Sequence, residues 1–299
     1  MDRLRAFEVF VSVISRGGFS KAAEALNTSP ANVTRYINEL EALLGTRLLN
    51  RTSRRLSLTE SGEALYERSR TILEDVLEME ALVSNASLQP RGRLRINAPL
   101  SFGVLHLAPL WPRFMAMYPD IRLEVALIDR VVDIVDEGYD LAIRISSSGP
   151  TAHVARKLAV SRNVMCASPE YLLRRGAPES LSDLAEHDCI TYAYNQDEWR
   201  LVGPDGRETV IRVNGPMHTN NGDTARAAAL AGQGIIWQPT FLIGPDLAAG
   251  RLARVLPDYR LADIDILAVY PSRRHLGAKV RVMVDFLAHA FKGTPPWDL

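Results

Sequence analysis

Apolar residues recur every seven positions between residues 58 and 86, and this repeat limits the possible folds more than any other feature of the chain. The repeat consists of Leu58, Leu65, Ile72, Met79 and Ala86. Val76 and Val83 occupy a second apolar position, which Gly62 and Ser69 weaken. A helix of about thirty residues spans roughly 45 Å, so this segment would act as a spacer as well as a packing surface.

A heptad repeat of this kind is typical of a helix that packs against a partner helix. The simplest partner is the same helix of a second subunit, and Thr59 can cap the helix at its start. The alternative, a core helix of a single domain, stays open. The repeat therefore predicts a linker and dimerisation helix over residues 60–89.

The chain changes character after the break at 89–92. Strand-like runs cover 94–98, 122–128, 140–145, 164–167, 234–237 and 264–270. Helix-like runs alternate with them over 102–117, 131–137, 223–231 and 278–291. This alternation predicts α/β layers with largely parallel sheets, in which ligands bind at the carboxyl ends of strands.

Residues 1–58 predict three short helices followed by a β-hairpin. Ser20 can cap a second helix over 21–26. Ser29 and Pro30 can open a third, because proline at the first helical position gives up only an amide that would lack a partner anyway. Two apolar stretches flank a basic tip at 51–55, which predicts the hairpin.

The 35 basic and 35 acidic residues give the chain no net charge, which alone would argue against a strongly basic nucleic-acid binder. The charge is unevenly spread, however. Residues 1–60 contain nine basic and six acidic side chains, whereas residues 61–89 contain two basic and six acidic ones. The neutral total conceals a basic N-terminal segment, residues 1–60, which we call the head, and an acidic segment, residues 61–89. The zero net charge therefore does not exclude DNA binding.

The N-terminal part of the chain resembles the winged helix-turn-helix of LysR-type transcriptional regulators. The resemblance covers residues 17–26, 27–40, 43–45, 47–51 and 58–62. The remainder of the chain follows the same plan. The resemblance implies an α/β protein with an N-terminal winged helix-turn-helix, a long linker helix and a two-lobe, periplasmic-binding-protein-like (type II) effector domain. The implied boundaries are 1–59 for DNA binding, 60–89 for the linker and 90–299 for the effector domain, with lobe I at about 90–161 and 268–299 and lobe II at about 162–267.

A recognition helix of this type places its first two turns against base edges in the major groove. Arginine can bind guanine, asparagine can bind adenine, and proline or alanine can meet a thymine methyl group. The hairpin tip carries three arginines and no acid, as contacts to phosphates or the minor groove require. The predicted DNA-binding residues are Ser20, Lys21, Ser29, Pro30, Ala31, Asn32, Thr34, Arg35, Tyr36, Asn38, Arg51, Thr52, Arg54 and Arg55. A solvated basic turn and an ordinary amphipathic helix are the alternatives.

One departure from the family is visible in the third helix. Many members carry Gln-Pro where this chain has Pro30-Ala31, so the family's glutamine contact to a base does not transfer to this chain.

Ser101 lies between a strand and a helix, where free backbone amides can hold a carboxylate; the same holds for residues 219–223. The resemblance places the effector in the cleft between the lobes and implies hinge strands near 162–166 and 267–270. The implied effector-binding residues are Leu100, Ser101, Phe102, Arg144, Thr191, Asn220, Asn221 and Gln238. For each, a capping or strand-end role is an equal alternative, and Arg144 can instead pair with Asp140.

Signals for an enzyme are weak. Gly-x-Ser-x-Gly and P-loop motifs are absent, and Gly232 and Gly234 follow a helix, the wrong context for a dinucleotide loop. The histidines lack metal-ligand spacing, and Cys166 is typical of a core residue. The sequence predicts no catalytic site, cofactor or metal, and the two cysteines favour a reduced, cytoplasmic protein.

The predicted partners are double-stranded DNA, a small-molecule effector with organic acids among the candidates, and further copies of the chain. The copies would form a homodimer through the linker helix and a tetramer beyond it, away from any membrane. The alternative is a small-molecule-binding module whose head serves only oligomerisation or protein contact.

Overall fold

Three short helices, a β-hairpin and one long helix form the N-terminal unit of the protein. The computed structural model describes residues 2–52, 55–83, 90–147, 154–193, 197–271 and 277–298. It divides into two units, residues 1–89 and 90–299. The elements of the first are α1 (Arg3–Ser15), α2 (Phe19–Ala25), α3 (Pro30–Leu44), β1 (Leu49–Thr52), β2 (Arg55–Leu58) and α4 (Glu60–Val83).

The third helix begins and ends as the sequence predicts. The Ser29 hydroxyl accepts the Asn32 amide at 3.2 Å, and Pro30 is the first helical residue. Gly45 ends the helix in the left-handed region at φ 64°, where a side chain would be strained. The predicted hairpin is also confirmed, with Thr52 opposite Arg55.

The predicted Ser20 cap is wrong. Helix α2 begins two residues earlier than predicted, at Phe19, and Gly18 precedes it without a side-chain hydrogen bond. The Gly18 carbonyl accepts the Ala22 amide, so the first helical turn already encloses Ser20.

The two residues that weaken the heptad repeat are explained by contacts within the head. A Cβ atom on Gly62 would lie 2.0 Å from the Leu48 carbonyl oxygen, so only glycine fits there. Ser69 is fully buried, and Leu65 packs against the core of the head. Thr59 caps α4 as predicted, since its hydroxyl accepts the Gly62 amide at 3.0 Å.

The later positions of the repeat are exposed. Ile72 and Met79 expose 41% and 58% of their surface, although both are large apolar residues. Ala86 lies outside the described residues. The first half of α4 therefore belongs to the fold of its own head, and the second half presents an apolar seam.

We expect Ser69→Ala to stabilise the N-terminal unit by about 1 kcal/mol, because the buried Ser69 hydroxyl has no hydrogen-bond partner among the residues that the structure describes and its removal relieves a desolvation cost. Hydrogen exchange of the α1 amides in the full-length protein measures the change. Ser61→Ala is the control, because Ser61 is exposed on the same helix and shares the gain in helix propensity. Equal protection in the two variants would contradict the prediction.

Two five-stranded mixed sheets form the second unit, in the orders β4-β3-β5-β14-β6 and β11-β8-β12-β7-β13. We call the first sheet and its helices lobe I and the second sheet and its helices lobe II. Strands β9 and β10 form a separate hairpin. The strands are β3 (Gly92–Ala98), β4 (Ile121–Leu127), β5 (Leu141–Ser146), β6 (Val154–Ser161), β7 (Asn163–Ala167), β8 (Cys189–Tyr192), β9 (Glu198–Val202), β10 (Glu208–Arg212), β11 (His218–Thr219), β12 (Ile235–Pro239), β13 (Ala253–Arg254) and β14 (Ile264–Tyr270).

Helices cover the sheets of both lobes. The α-helices are α5 (Leu100–Phe102), α6 (Trp111–Met117), α7 (Pro169–Arg175), α8 (Gly222–Leu230), α9 (Thr240–Ala248) and α10 (Ala278–Ala290). A π-helical turn (Gly103–Leu107) and a 3-10 turn (Ala108–Leu110) join α5 to α6, and a further 3-10 helix covers Leu181–Glu186. None of the described helices is long and apolar enough to cross a membrane.

The expectation of largely parallel sheets is wrong for half of each sheet. Strands β4, β3 and β5 are parallel, but β14 runs antiparallel to both β5 and β6. Lobe II repeats this pattern, with β11, β8 and β12 parallel and β7 antiparallel to β12 and β13. Strands β6, β7 and β14 lie next to the two points at which the chain passes from one lobe to the other. The chain passes there without a helix, which is the usual connection between parallel strands, and the strands therefore pair in the antiparallel direction.

A predicted helix over 131–137 is also wrong, since this segment forms a single turn. The Asp133 carboxylate accepts the amides of Val135 and Asp136, at 2.8 and 3.0 Å. The Ile134 carbonyl accepts the Tyr139 amide, which closes the turn. Gly138 then adopts the left-handed region at φ 68°, which ends helical hydrogen bonding after this one turn.

The chain crosses between the lobes at Arg162, which joins β6 to β7. It returns to the first sheet at Ile264, because all of Ile264–Tyr270 pairs with β6. The return therefore precedes the predicted hinge strand at 267–270. Near both crossings, the Asn163 side chain donates to the Ala262 carbonyl at 2.7 Å.

Candidate functional site

Most predicted DNA-binding residues of α3 lie on its exposed face. Exposed side chains are Ser29, Pro30, Ala31, Asn32, Arg35 and Asn38, together with Ser20 and Lys21 on α2. The opposite face of α3 is buried in the head through Val33, Ile37 and Leu40. The helix thus offers one continuous polar surface at its N-terminal half, as docking in a major groove requires.

Arg35 is extended over its neighbour. Its guanidinium carbon lies 5.6 Å from the centre of the Tyr36 ring, and its Nε atom is 4.0 Å from a Glu39 carboxylate oxygen. The Arg35 side chain is still 62% exposed, so both contacts orient it without enclosing it. Tyr36 itself is half-buried against the core of the head, and the Thr34 hydroxyl donates to the Pro30 carbonyl at 2.9 Å.

Only part of the predicted hairpin contact surface lies within the described residues. Arg54 lies outside the described residues, and the side chains of Arg51, Thr52 and Arg55 are likewise not described. In the described strands, Thr52 lies opposite Arg55 and Arg51 opposite Leu56.

Arg16 is a basic residue that the sequence analysis did not select. It lines a surface hollow together with Lys21, Glu24 and Ala25. Arg16 follows the last residue of α1, and Lys21 lies in the first turns of α2. Two adjacent helix ends therefore place Arg16 and Lys21 on the same hollow, which Glu24 also lines. Arg16 stands directly before Gly17-Gly18, and this position was the signal in the sequence that could have identified it.

The second candidate site lies where the parallel strands of both lobes end. Ser101 follows β3, and Arg144 is near the end of β5. Thr191 and Gln238 are near the ends of β8 and β12, and Asn221 follows β11. These five predicted effector residues, and Leu100 and Asn220 beside them, thus lie at the carboxyl ends of strands, the usual place for ligands in such folds.

Two carboxylates that the sequence analysis missed occupy the donors of α5. The Ser101 hydroxyl donates to Asp223 Oδ2 at 2.5 Å, and Asp223 belongs to lobe II. The Leu100 amide donates to Asp129 Oδ1 at 2.9 Å. The Leu100 amide, which the sequence analysis expected to be free, is therefore already hydrogen-bonded. Its partner is a carboxylate, which is the group that the sequence analysis expected to bind there.

Arg144 is half-buried in lobe I. Its guanidinium donates to Asn97 Oδ1 at 2.5 Å and to the Val132 carbonyl at 3.0 Å. Burial lowers the pKa of Arg144, and the Glu137 carboxylate partly opposes this shift. The alternative pairing with Asp140 is wrong, because Asp140 binds Lys279 Nζ at 3.1 Å and accepts the Arg95 amide.

Three lobe II residues have ordinary structural roles as well. Asn221 caps α8 by accepting the Thr224 amide at 2.9 Å. Thr191 is buried, and its hydroxyl lies 2.9 Å from His218 Nδ1. Gln238 is buried beside Gly222, where an added Cβ would lie 3.3 Å from Gln238 Oε1. His218, an exposed residue of β11, is a further side chain at this edge that the sequence analysis did not select.

Two other predicted contacts differ from this group. Asn220 is exposed. Phe102 has no exposed surface, so it does not line an open cleft. Its ring packs at 5.4 Å from Phe241 and 5.8 Å from Trp297, in an aromatic cluster that joins the two lobes.

His106 makes a second hydrogen bond between the lobes. Its Nε2 atom lies 2.8 Å from the Phe241 carbonyl, and because the carbonyl is only an acceptor, Nε2 carries the proton. Burial lowers the pKa of His106, and this hydrogen bond partly offsets the shift. The role is structural, as the sequence analysis expected for the histidines.

We expect neither cysteine to react with a thiol reagent in the folded protein at pH 8. Burial raises the pKa of Cys166 and of Cys189 to about 12, which leaves almost no thiolate. The two residues pair with Ile236 and Ile235 on opposite sides of β12, about 9.6 Å apart and too far for a disulfide. Absorbance of a released chromophore measures the reaction, with the unfolded protein as control; rapid labelling of the native protein would contradict the prediction.

Comparisons with known proteins agree with this geometry. Residues 4–63 match the family described as bacterial regulatory helix-turn-helix protein, lysR family, and residues 87–292 match the LysR substrate binding domain. The chain is 38% identical to the HTH-type transcriptional regulator DmlR of Escherichia coli K12 over 96% of this chain and 94% of that protein. It is 36% identical to the HTH-type transcriptional activator TtdR of the same strain, over 94% of this chain and 91% of the relative.

Among solved structures, CrgA, a LysR-type transcriptional regulator from Neisseria meningitidis, is similar over 97% of this chain and 99% of that chain. The TM-score is 0.62 and the sequence identity 31%. The similarity includes both the helix-turn-helix head and the α/β unit.

Proposed function

Because this chain belongs to the LysR family of DNA-binding transcriptional regulators with a C-terminal effector-binding domain, we propose that it reads its operator with the exposed face of α3. The type II, two-lobe fold and the absence of an enzymatic role follow from the same relationship. The alternative, a head used only for oligomerisation or protein contact, is not favoured, since the relatives are transcriptional regulators.

The base-reading residues are Arg35 and Asn32, with Pro30 and Ala31 available to thymine methyl groups. Phosphate contacts come from Lys21 and Arg16, and from the hairpin arginines Arg51, Arg54 and Arg55. The remaining contacts are Ser20, Ser29, Thr34, Tyr36, Asn38 and Thr52. The single observation that carries this assignment is the exposed polar face of α3 over a buried apolar one.

DNA binding is tested by footprinting the purified protein on its own promoter region and on that of the neighbouring divergent gene. We expect salt-sensitive protection of two half-sites about 34 Å apart, one helical turn of DNA. Protection that does not depend on DNA sequence, or no protection, would contradict the proposed function.

LysR-type regulators oligomerise, and here the dimer forms through α4. The exposure of Ile72 and Met79 supports this assignment, because a lone helix does not expose an apolar seam to water without cost. Further pairing through the effector domains gives a tetramer that binds DNA at several points. A head with only modest excess positive charge gains affinity from such multivalent binding.

The assigned units are residues 1–59 for DNA binding, 60–89 for dimerisation and 90–299 for effector binding, in a cytoplasmic protein. The effector is an organic acid that contacts Ser101, Leu100, Arg144, Thr191, Asn221 and Gln238, with Asn220 at the rim. The half-buried Arg144 guanidinium and the choice of carboxylates by Leu100 and Ser101 support this ligand class. Effector binding would favour one of two lobe arrangements and so change the DNA affinity.

A further inference from the structure

A short hydrogen bond joins the two lobes across the cleft. The Ser101 hydroxyl, directly after β3 of lobe I, donates to Oδ2 of Asp223 in the first turn of α8 of lobe II at 2.5 Å. The distance is in the range of hydrogen bonds from a hydroxyl to an ionised carboxylate. The two residues are 122 positions apart in the chain, so the bond exists only while the lobes face each other.

Neighbouring donors at this point in lobe I both take a carboxylate. The Leu100 amide binds Asp129, which belongs to the same lobe. The Ser101 hydroxyl binds Asp223, which belongs to the other lobe. The first bond is independent of the lobe arrangement, whereas the second can be exchanged if the lobes shift.

Asp223 is not held in place by a strong ion pair on its own helix. Arg226, one turn further along α8, donates instead to the buried carboxylate of Asp246, which also binds Arg251. Ser101 is thus the side chain to which the described structure bonds Asp223, and release from Ser101 leaves the carboxylate near solvent, since Asp223 is half-buried.

We propose that Asp223 determines the ligand specificity of the cleft: its carboxylate occupies the Ser101 hydroxyl, and an effector bearing a carboxylate binds there by displacing it. This inference rests on the proposed function only in taking the cleft as the effector site. The Ser101 hydroxyl has a single proton and cannot donate it to two carboxylates at once. The Asp223 carboxylate and an effector carboxylate bound to the same hydroxyl would also repel each other. Effector binding and the Ser101–Asp223 bond therefore exclude each other, which couples ligand binding to the lobe arrangement.

Asp223→Asn tests the proposal in the full-length protein, because asparagine keeps the size of the side chain and removes its charge. Asp258→Asn is the matched control, since Asp258 is an exposed carboxylate of lobe II. Hydrogen exchange of peptides covering 100–106 and 222–228 measures opening of the lobes. Calorimetric titration with acetate, succinate and benzoate measures carboxylate affinity.

We expect Asp223→Asn to speed exchange in both peptides at least threefold and to tighten binding of at least one of the three carboxylates at least tenfold. Asp258→Asn should match the parent protein in both measurements. A merely structural role for Asp223 would speed exchange without improving carboxylate affinity, so the second measurement separates the two roles.

Unchanged exchange, or carboxylate binding that is unchanged, weaker or undetectable in Asp223→Asn, would overturn the proposal. So would binding of ethylammonium by the parent protein that Asp223→Asn loses, because the cleft would then select cations. Footprinting of the parent protein is read separately: its failure would refute the proposed regulator function, whatever the carboxylate titrations give.

Discussion

Replacing Ile72 with glutamate is expected to dissociate the dimer and to weaken DNA binding by about 100-fold to 10,000-fold. Ile72 is 41% exposed on α4, beyond the part of the helix that packs on its own head. A glutamate at this seam would place two like charges opposite each other in an apolar interface, which is strongly unfavourable. Two linked heads bind far more tightly than one, so loss of the dimer removes most of the affinity. Sedimentation and gel-shift titration measure the two effects.

Thr71→Glu is the control for this substitution. Thr71 is exposed on the neighbouring face of the same helix, where its hydroxyl donates to the Glu67 carbonyl. The same charge there should leave both the dimer and the DNA affinity within about twofold of the parent, as usual for an exposed surface substitution. A dimer that survives Ile72→Glu would show that α4 does not form the interface.

The N-terminal unit was largely predictable because its signals are local. Ser29, Pro30 and Gly45 specify the ends of α3 through chemistry within a few residues. The role of Gly62 was not predictable in this way, since its necessity comes from the Leu48 carbonyl on the other side of the fold. In sequence, Gly62 was a defect in the heptad repeat; in the folded head it is a point of close approach.

The strands of the effector unit were predictable and their directions were not. Apolar runs such as 264–270 identify a buried strand, but pairing partners depend on where the chain crosses between the lobes. Strand β14 returns to the first sheet antiparallel to both of its neighbours. The turn over 131–137 shows the converse case, because Gly138, at φ 68°, ends the helical hydrogen bonds after one turn although the apolar pattern has helical spacing.

The position of the effector cleft could be predicted, but its polar contacts could not. The family resemblance implied Ser101, Thr191 and Gln238, and the place of Ser101 between a strand and a helix pointed to the same region. The bond from Ser101 to Asp223 joins residues of different lobes, and no local pattern indicates it. The same limit applies to His218, whose contact with Thr191 depends on the pairing of β11 with β8.

Base reading by Arg35 depends on how freely its guanidinium can leave its present contacts. The side chain is 62% exposed, and its Nε atom is 4.0 Å from Glu39, a separation at which an exposed ion pair contributes little. Stacking over the Tyr36 ring at 5.6 Å limits the rotamers of Arg35 and reduces the entropy lost when it binds a guanine.

We therefore expect Arg35→Ala to weaken binding to the operator by about 1–3 kcal/mol and to leave binding to random DNA nearly unchanged. Lys21→Ala is the matched comparison, because Lys21 is also exposed on the head and is proposed to contact phosphate. It should weaken binding to both DNAs alike and reduce the salt dependence by about one released ion. Gel-shift titrations on both DNAs at several salt concentrations separate the two patterns. Equal losses on operator and random DNA for Arg35→Ala would mean that Arg35 contacts phosphate, because only a contact to a base edge distinguishes one sequence from another.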